Sequence, residues 1–369
     1  MYEAYTSSAD GIGGSIFIAP NGVDALDAIG LGDAVRRMGE PTSAFVMQSW
    51  TGKRLAEVGT PADLPLQRYV ERADLYRTLH DEAAGRGIRT EYGKRLVDAT
   101  TTEDGVTALF TDGSEARADV LIGADGIRST VRRIIDPTAP KPRYSGLQGF
   151  GAVIRNSGLE PTRGEMFLTF GKRAFTGLQI FDDSTAAWFV NLPHPEPLTS
   201  RQSRAVDAQM WLEQLREACA DDHTPIARLI ERTRPEELVT TGPSEAIPPR
   251  VPTWSRGRMV IIGDAAHAAS ASSAQGASLA TESAVQLARC LRDLPHAQAF
   301  AAYEELRRER VERVIRTAAR TNSGKAAGPV GRGLRDALMP LAIRLMNIEK
   351  MSEAFRHHID WAQPVTPKG

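Results

Sequence analysis

The sequence predicts an α/β protein: a parallel sheet whose loops gather at one carboxyl edge, with a mainly antiparallel sheet inserted between its two halves. Three observations predict this. Ala118 to Asp125 reads ADVLIGAD, and Arg258 to Asp264 reads RMVIIGD. Each is a short apolar run ending in an acid, the pattern of a buried parallel strand with a turn at its carboxyl end. Between them, residues 143–192 alternate and carry aromatics, as in Glu165 to Phe170 and Ala186 to Asn191, the pattern of antiparallel strands.

The other elements follow in order. A helix is expected to start near Ala73, with Leu75, Leu79 and Ala83 on one face and Gly85 and Gly87 ending it. Trp188 and Phe189 fall on a strand of the middle sheet. Phe170, Phe175 and Phe181 either pack there or line a cavity, and both readings stay open. Pro193 to Pro197 marks the exit from this sheet, and Pro243 to Pro252 a return loop. After the second apolar run comes a small-residue loop, Ala265 to Ser273. Ala284, Leu287, Ala288 and Leu291 then recur at helical spacing. The tail from Ala299 reads as helix, broken around Gly324 to Gly333, with an amphipathic covering helix over Leu334 to Ile348. Its charges, Glu305–Glu309–Arg313 and Glu312–Arg316, fit a solvated face with i,i+4 pairs.

Composition narrows the function. With 369 residues, 41% hydrophobic and 25% charged, the chain has the balance of a water-soluble globular protein. A net charge of −1 supplies no field to attract nucleic acid. No run of eighteen apolar residues is present to span a bilayer. The two cysteines, Cys219 and Cys290, lie far apart, and no Cys/His spacing suggests a metal. No basic, apolar leader follows Met1. A reduced, cytoplasmic protein is the expectation.

The densest chemical signal is GDAAHAASASSAQGASLATESA, Gly263 to Ala284. A carboxylate at a strand end, Asp264, can accept hydrogen bonds from sugar-alcohol hydroxyls. Gly263 lets the backbone approach a ligand closely. A helix starting at Gln275-Gly276 would point its N–H groups and positive dipole end back at the same place, favouring negative charge there. A strand–loop–helix with a solvated Asp264 is the plainer alternative. The second signal is GADGIRSTVR, Gly123 to Arg132, where Asp125-Gly126 makes a tight turn into a helix carrying Ser129 and Arg132. Here the plainer alternative is Asp125 as a helix N-cap. The third is Arg72, just before a helix in ERADLYRTL, where a guanidinium could clamp an anionic oxygen. His267, inside the first segment, is expected to pack.

The first segment closely resembles the GD motif of the class A flavoprotein monooxygenases, the para-hydroxybenzoate hydroxylase fold. The second resembles their DG motif, DGxxSxxR, and Arg72 matches their RxxLxxxL. The resemblance covers nearly the whole chain. It implies that Asp264, after Gly263, holds the ribityl chain of FAD, with Gln275, Gly276 and Ala277 near the pyrimidine side of the flavin ring. Asp125 and Gly126 would serve FAD and the nicotinamide cofactor, and Arg72 would contact FAD. Two positions depart from the pattern: Ala271 replaces the usual proline and Ala274 the usual glycine. The second alters the loop if the backbone there needs a positive φ.

The amino terminus departs further. The family begins strand, GxGxxG, helix, strand, then an acid for the adenosine ribose. Tyr2-Glu3-Ala4 resembles the end of that second strand, with Glu3 as the ribose acid. Gly11, Gly13 and Gly14 do not form GxGxxG. The expectation is that a first βαβ unit of roughly 30 residues is missing, through a misplaced start or a fragment boundary. In the strand order 3-2-1-4-5 that would remove a central strand and the loop that holds the pyrophosphate.

The fold implied is therefore a Rossmann-like FAD-binding domain lacking that unit, an inserted β-sheet substrate domain and C-terminal helices. Residues 1–142 and 251–330 would form the FAD-binding domain, 143–250 the substrate domain and 331–369 a helical segment. The activity implied is hydroxylation of an aromatic or polyketide-like small molecule. NADPH or NADH would reduce FAD, O2 would form a flavin C4a-hydroperoxide, and the cofactor would carry the hard step. No acid–base residue is assignable, and the oligomeric state is open. A halogenase of this fold is disfavoured because WxWxIP is absent. A flavin reductase or dehydrogenase, or a non-catalytic fragment that retains no FAD, are the alternatives.

Overall fold

The computed structural model describes residues 1–8, 14–270, 274–323, 333–334, 336–339 and 353–366. In chain order the elements are β1 (Ser15–Ile18), α1 (Pro20–Asp27), α2 (Gly32–Arg36), β2 (Glu40–Thr42), β3 (Ala44–Ser49), β4 (Arg54–Gly59), β5 (Gln67–Glu71) and α3 (Arg72–Gly85). Then come β6 (Leu96–Thr101), β7 (Val106–Phe110), β8 (Glu115–Ala118), β9 (Leu121–Gly123), α4 (Thr130–Ile135), β10 (Arg143–Ile154), β11 (Glu165–Phe170), β12 (Phe175–Ile180) and β13 (Ala186–Pro193). The last are α5 (Ser200–Ala205), α6 (Ala208–Cys219), α7 (Ile226–Arg232), β14 (Val239–Ala246), β15 (Ser255–Arg256), β16 (Met259–Ile261), α8 (Asp264–His267), α9 (Gly276–Asp293) and α10 (His296–Ser323).

A seven-stranded sheet, ordered β14-β10-β13-β12-β11-β3-β4, forms one layer. Its strands pair antiparallel except β11 and β3, which run parallel with Met166 opposite Phe45. The expected middle sheet is thus present, and it recruits β3 and β4 from before residue 143. One face, carrying Phe150, Leu178, Trp188 and Val190, packs against Trp211, Leu212 and Leu215 of α6 and Leu229 of α7. Burying these side chains away from water drives that docking. The Trp188 indole N–H still finds a partner, Thr233 Oγ1 at 3.2 Å. Pro243, expected in a loop, lies within β14. That strand is at the sheet edge and shifts register against β10, where the missing N–H of proline is tolerated.

The second layer holds the two acid-tipped runs. β9 and β16 pair in parallel, Leu121 opposite Met259 and Gly123 opposite Ile261, with β15 antiparallel on the far side of β16. Met259, Val260 and Ile261 are buried with Val131 and Ile135 of α4, Leu279 and Leu287 of α9, and Phe300 and Tyr303 of α10. The first run differs from expectation. Ala118 ends β8 of the β6-β7-β8 meander, and β9 begins only at Leu121. β9 is an edge strand among the described residues, so Ile122 is 41% exposed rather than buried.

Helix α1 crosses α9 at close range. A Cβ on Gly22 would lie 2.6 Å from Ser278 Oγ and 2.9 Å from Ser278 Cα. Only glycine permits that approach. The expected helix at Ala73 is α3, ended at Gly85, with Gly87 at φ +78°. The break expected at Gly324 to Gly333 and most of the helix expected at Leu334 to Ile348 lie outside the described residues. No helix among the described residues is long and apolar enough to cross a membrane.

Candidate functional site

Because β9 and β16 are parallel neighbours in register, the chains leaving Gly123 and Ile261 emerge at the same sheet edge. Asp125 and Asp264 therefore occupy adjacent turns. Arg132, 2% exposed, ties the two turns together: its guanidinium donates to Ala265 O at 2.7 Å and also to Ile127 O. The first turn closes on itself. Asp125 accepts from the Ser129 hydroxyl, from Thr130 N at 2.6 Å and from Val131 N at 3.0 Å, while Ser129 Oγ accepts from Arg132 N at 2.9 Å. The Asp125 carboxylate is thus engaged in capping the start of α4. Gly126, at φ +77°, makes the turn possible.

In the second turn Gly263 adopts φ +55°, ψ −140° and opens a single turn of helix, α8, where a loop was expected. Asp264 begins α8. It is open to water, yet protein crowds it closely enough that burial pushes its carboxyl up from the ordinary value, against the pull of the Arg72 charge. The same interaction places Arg72, the exposed first residue of α3, within electrostatic reach of Asp264. His267 packs as expected: it is buried, with Nε2 2.7 Å from Ser283 Oγ, and burial lowers its pKa to about 3, keeping it neutral.

The head of α9 faces the end of this loop. Gln275 is its N-cap residue, and among the described residues no side-chain cap bonds the first turn. A Cβ on Gly276 would meet nothing within 4 Å, so space lies open there, while Ala277 packs beneath against the cluster of Ile18, Val23 and Leu75. Uncapped amides, open space and the positive end of an eighteen-residue helix suit a flat group that accepts hydrogen bonds and gains negative charge. These residues therefore fit a flavin. Ala274 has φ +49°, so the departure noted there falls on a left-handed residue. Ala271 lies outside the described residues.

Glu3 lies beside residues 91–94. Its backbone pairs with Glu91 and Lys94, Tyr2 forms a parallel bridge to Glu91, and its carboxylate accepts from Tyr5 N at 3.0 Å. That arrangement is an isolated bridge followed by bends.

Sequence reasoning missed a buried polar cluster behind α9. Glu282, fully buried, accepts from Arg307 and Arg310 of α10, each at 2.6 Å. Asn21 of α1, also fully buried, donates to Glu282 Oε1 at 2.6 Å and to Gln275 Oε1 at 3.0 Å. His357 of the carboxyl-terminal segment sits 3.9 Å from Glu282. The inner stripe of α9 also differs from expectation: Ala284 and Ala288 are exposed, whereas Leu279, Glu282, Ser283, Gln286, Leu287 and Cys290 face inward. Polar residues recurring on that stripe at helical spacing were the available signal. Arg307 was likewise hidden in a stretch whose outer pairs, such as Glu309–Arg313, do form as expected. Among the described residues no group of three or more His, Cys, Asp or Glu could hold a metal.

Paired acid turns on parallel strands, an arginine beside the second acid and an uncapped helix head define an FAD-dependent oxidoreductase of α/β type. Comparison with known proteins agrees. The model of the FAD binding domain family matches residues 14–318. The chain belongs to that family, within the class A FAD-dependent aromatic hydroxylases. It is 30% identical to 6-hydroxynicotinate 3-monooxygenase of Pseudomonas fluorescens, over 83% of this chain and 80% of that one. It is 32% identical to 3-amino-4-hydroxybenzoate 2-monooxygenase PtmB3 of Streptomyces platensis, over 94% and 87% respectively. Among solved structures, Klebsiella pneumoniae HpxO complexed with FAD and uric acid superposes with a TM-score of 0.81 at 25% identity, covering 96% of this chain and 89% of that one.

Proposed function

We propose that this protein is an NAD(P)H-driven monooxygenase that hydroxylates a small aromatic molecule with O2. The observation that carries the reading is Asp264 within electrostatic reach of Arg72, its neighbour Gly263 lying against Ala280 of α9, in a chain whose relatives are named as monooxygenases. When bound, FAD supplies two-electron reduction by NADPH or NADH and activation of O2, one oxygen entering the ring and the other leaving as water.

The roles of the chain's own residues follow from their chemistry. Asp264 accepts from the ribityl hydroxyls, with Gly263 giving close approach. Arg72 steadies an anionic oxygen of the cofactor. The amides of Gly276 and Ala277, with the helix dipole behind them, hold the pyrimidine edge, and Gln275 lies beside it. Asp125 and Gly126 shape the neighbouring turn, and Glu3 takes the adenosine ribose. The inserted sheet supplies the substrate wall. By alternation from Phe45, whose ring meets Phe17 of β1 at 5.1 Å, its cofactor-side face carries Met47, Leu168, Gly177 and Phe189. The Phe189 ring lies over Gly177, where a Cβ would approach it to 2.0 Å. Such a face suits a flat apolar ring and keeps water out. The two thiols, both free and buried, fit a cytoplasmic setting.

The test is the purified chain. Flavin absorption bands, NAD(P)H consumption stimulated by an aromatic substrate, and 18O from O2 in the product are expected. Uncoupled NAD(P)H oxidation with no oxygenated product would favour a reductase or dehydrogenase, and absence of flavin would favour a non-catalytic chain.

A further inference from the structure

We propose that Asn21 is a positioning residue for the flavin site: its buried amide, anchored on Glu282 between Arg307 and Arg310, fixes the orientation of the Gln275 amide at the head of α9. The inference rests on the reading of that helix head as the flavin-facing element.

Hydrogen-bond polarity sets the direction of the relay. Glu282 is held ionised by two arginines, so it can only accept. The atom of Asn21 that meets it at 2.6 Å must therefore be the donor Nδ2, not Oδ1. An NH2 group has two hydrogens, and the second points at Gln275, 3.0 Å away. The facing atom of Gln275 must then be its acceptor, Oε1. The NH2 end of Gln275 is turned the other way. Two cations thus dictate, through a carboxylate and one amide, which end of a second amide faces α1.

The relay is well anchored. Asn21, Glu282 and Arg307 are each fully buried, and Gln275 is 5% exposed, so water cannot supply substitute partners. Arg310 also donates to Ala354 O at 2.8 Å, and Arg307 to Ser283 Oγ at 3.3 Å. The contact between α1 and α9 is further fixed by Ala19 N donating to Ser278 Oγ at 3.0 Å. Asn21 is fully buried and acts through its bonds to Gln275 and Glu282, which makes it a positioning rather than a catalytic residue.

A double-mutant cycle with FAD as the probe tests this. Asn21→Ser, Gln275→Ala and the double variant are compared with the wild-type chain for FAD dissociation constant, visible flavin spectrum and flavin midpoint potential, with thermal melts as the folding control. Asn21→Ser is expected to weaken FAD binding by about tenfold, the scale of one misdirected buried hydrogen bond, and to shift the spectrum and potential. In the Gln275→Ala background the same change is expected to do almost nothing further, because its route is already cut. Full effects of both variants multiplying in the double variant would overturn the proposal, as would an Asn21→Ser protein with unchanged spectrum and affinity. Should Asn21→Ser fail to fold, Asn21→Ala carries the same cycle, since it removes the amide without introducing a new hydrogen-bonding group and is the better helix former. Wild-type chain that binds no FAD sinks the functional reading and this inference together. Wild-type binding with independent effects sinks the inference alone.

Discussion

Replacing Glu282 by glutamine should change how the protein responds to acid in a way that isolates one carboxylate. Burial alone would raise the pKa of Glu282, but the hydrogen bond from Arg310 and the charges of Arg307 and Arg310 outweigh it and hold it at about 2, against an ordinary 4.5. A carboxylate whose folded pKa is depressed stabilises the fold at any pH above its unfolded value. That stabilisation is lost as pH falls from the unfolded value through the folded one. The gap is worth ~3 kcal/mol, in line with the roughly 3–5 kcal/mol expected when one member of a buried ion pair is removed. Glu282→Gln should therefore be about 3 kcal/mol less stable than wild type at pH 7. The difference should shrink below pH 4.5 and close near pH 2, where wild type carries a protonated acid of the same shape. Urea denaturation in steps from pH 7 to pH 2.5 gives the measurement. His267, neutral in the fold with a pKa of about 3, is also partly supported by the Glu282 charge, so its contribution cancels in the difference only above about pH 4, the range over which the shrinkage is compared. His357, which the Glu282 charge partly supports, is removed by repeating the pair in a His357→Gln background. A stability gap that stays constant down to pH 2.5, or no gap at pH 7, would refute the assignment of Glu282 as the anchor of this cluster.

Three further outcomes are expected. Ala274→Gly should raise stability by about 1 kcal/mol, because a left-handed φ of +49° strains alanine and not glycine; a lower melting temperature would count against that backbone. Gly22→Ala should lower stability by ~1–3 kcal/mol, since the added methyl meets Ser278 backbone at 2.9 Å and pushes α1 off α9; an unchanged melt would show that the helices do not pack so closely. Asp264→Ala should weaken FAD binding by about tenfold or more while leaving the melting temperature of the flavin-free protein nearly unchanged, because the side chain is exposed. Fluorescence titration with FAD reads the first quantity, and equal affinity in both proteins would remove Asp264 from the site.

Much of the outline is legible in the amino-acid sequence. VLIGAD and VIIGD are apolar, short and acid-tipped, so their strands and the turns after them can be placed, as can α9 from its start at Gly276. Burial is less legible. Ile122 reads as a core residue, but its strand is at the sheet edge among the described residues. Strand membership is harder still. β3 and β4 join the seven-stranded sheet from before residue 143 because Phe45 and Met47 pair with Met166 and Leu168, more than a hundred positions on. Local periodicity cannot report pairing at that distance.

The sequence by itself determined the local chemistry: which turns carry acids, where a helix begins with uncapped amides, and that Ala274 would matter if φ were positive there. Hydrogen-bonding type, charge and backbone preference belong to the residue and its immediate neighbours, so they can be read without a fold. Tertiary structure alone decided that Arg132 bridges the two turns, and that Asn21, Glu282, Arg307 and Arg310 form one buried unit. A lone asparagine or a glutamate on a helix reads as surface until its partners close around it. Those partners come from α1, α9 and α10, elements that only packing brings together.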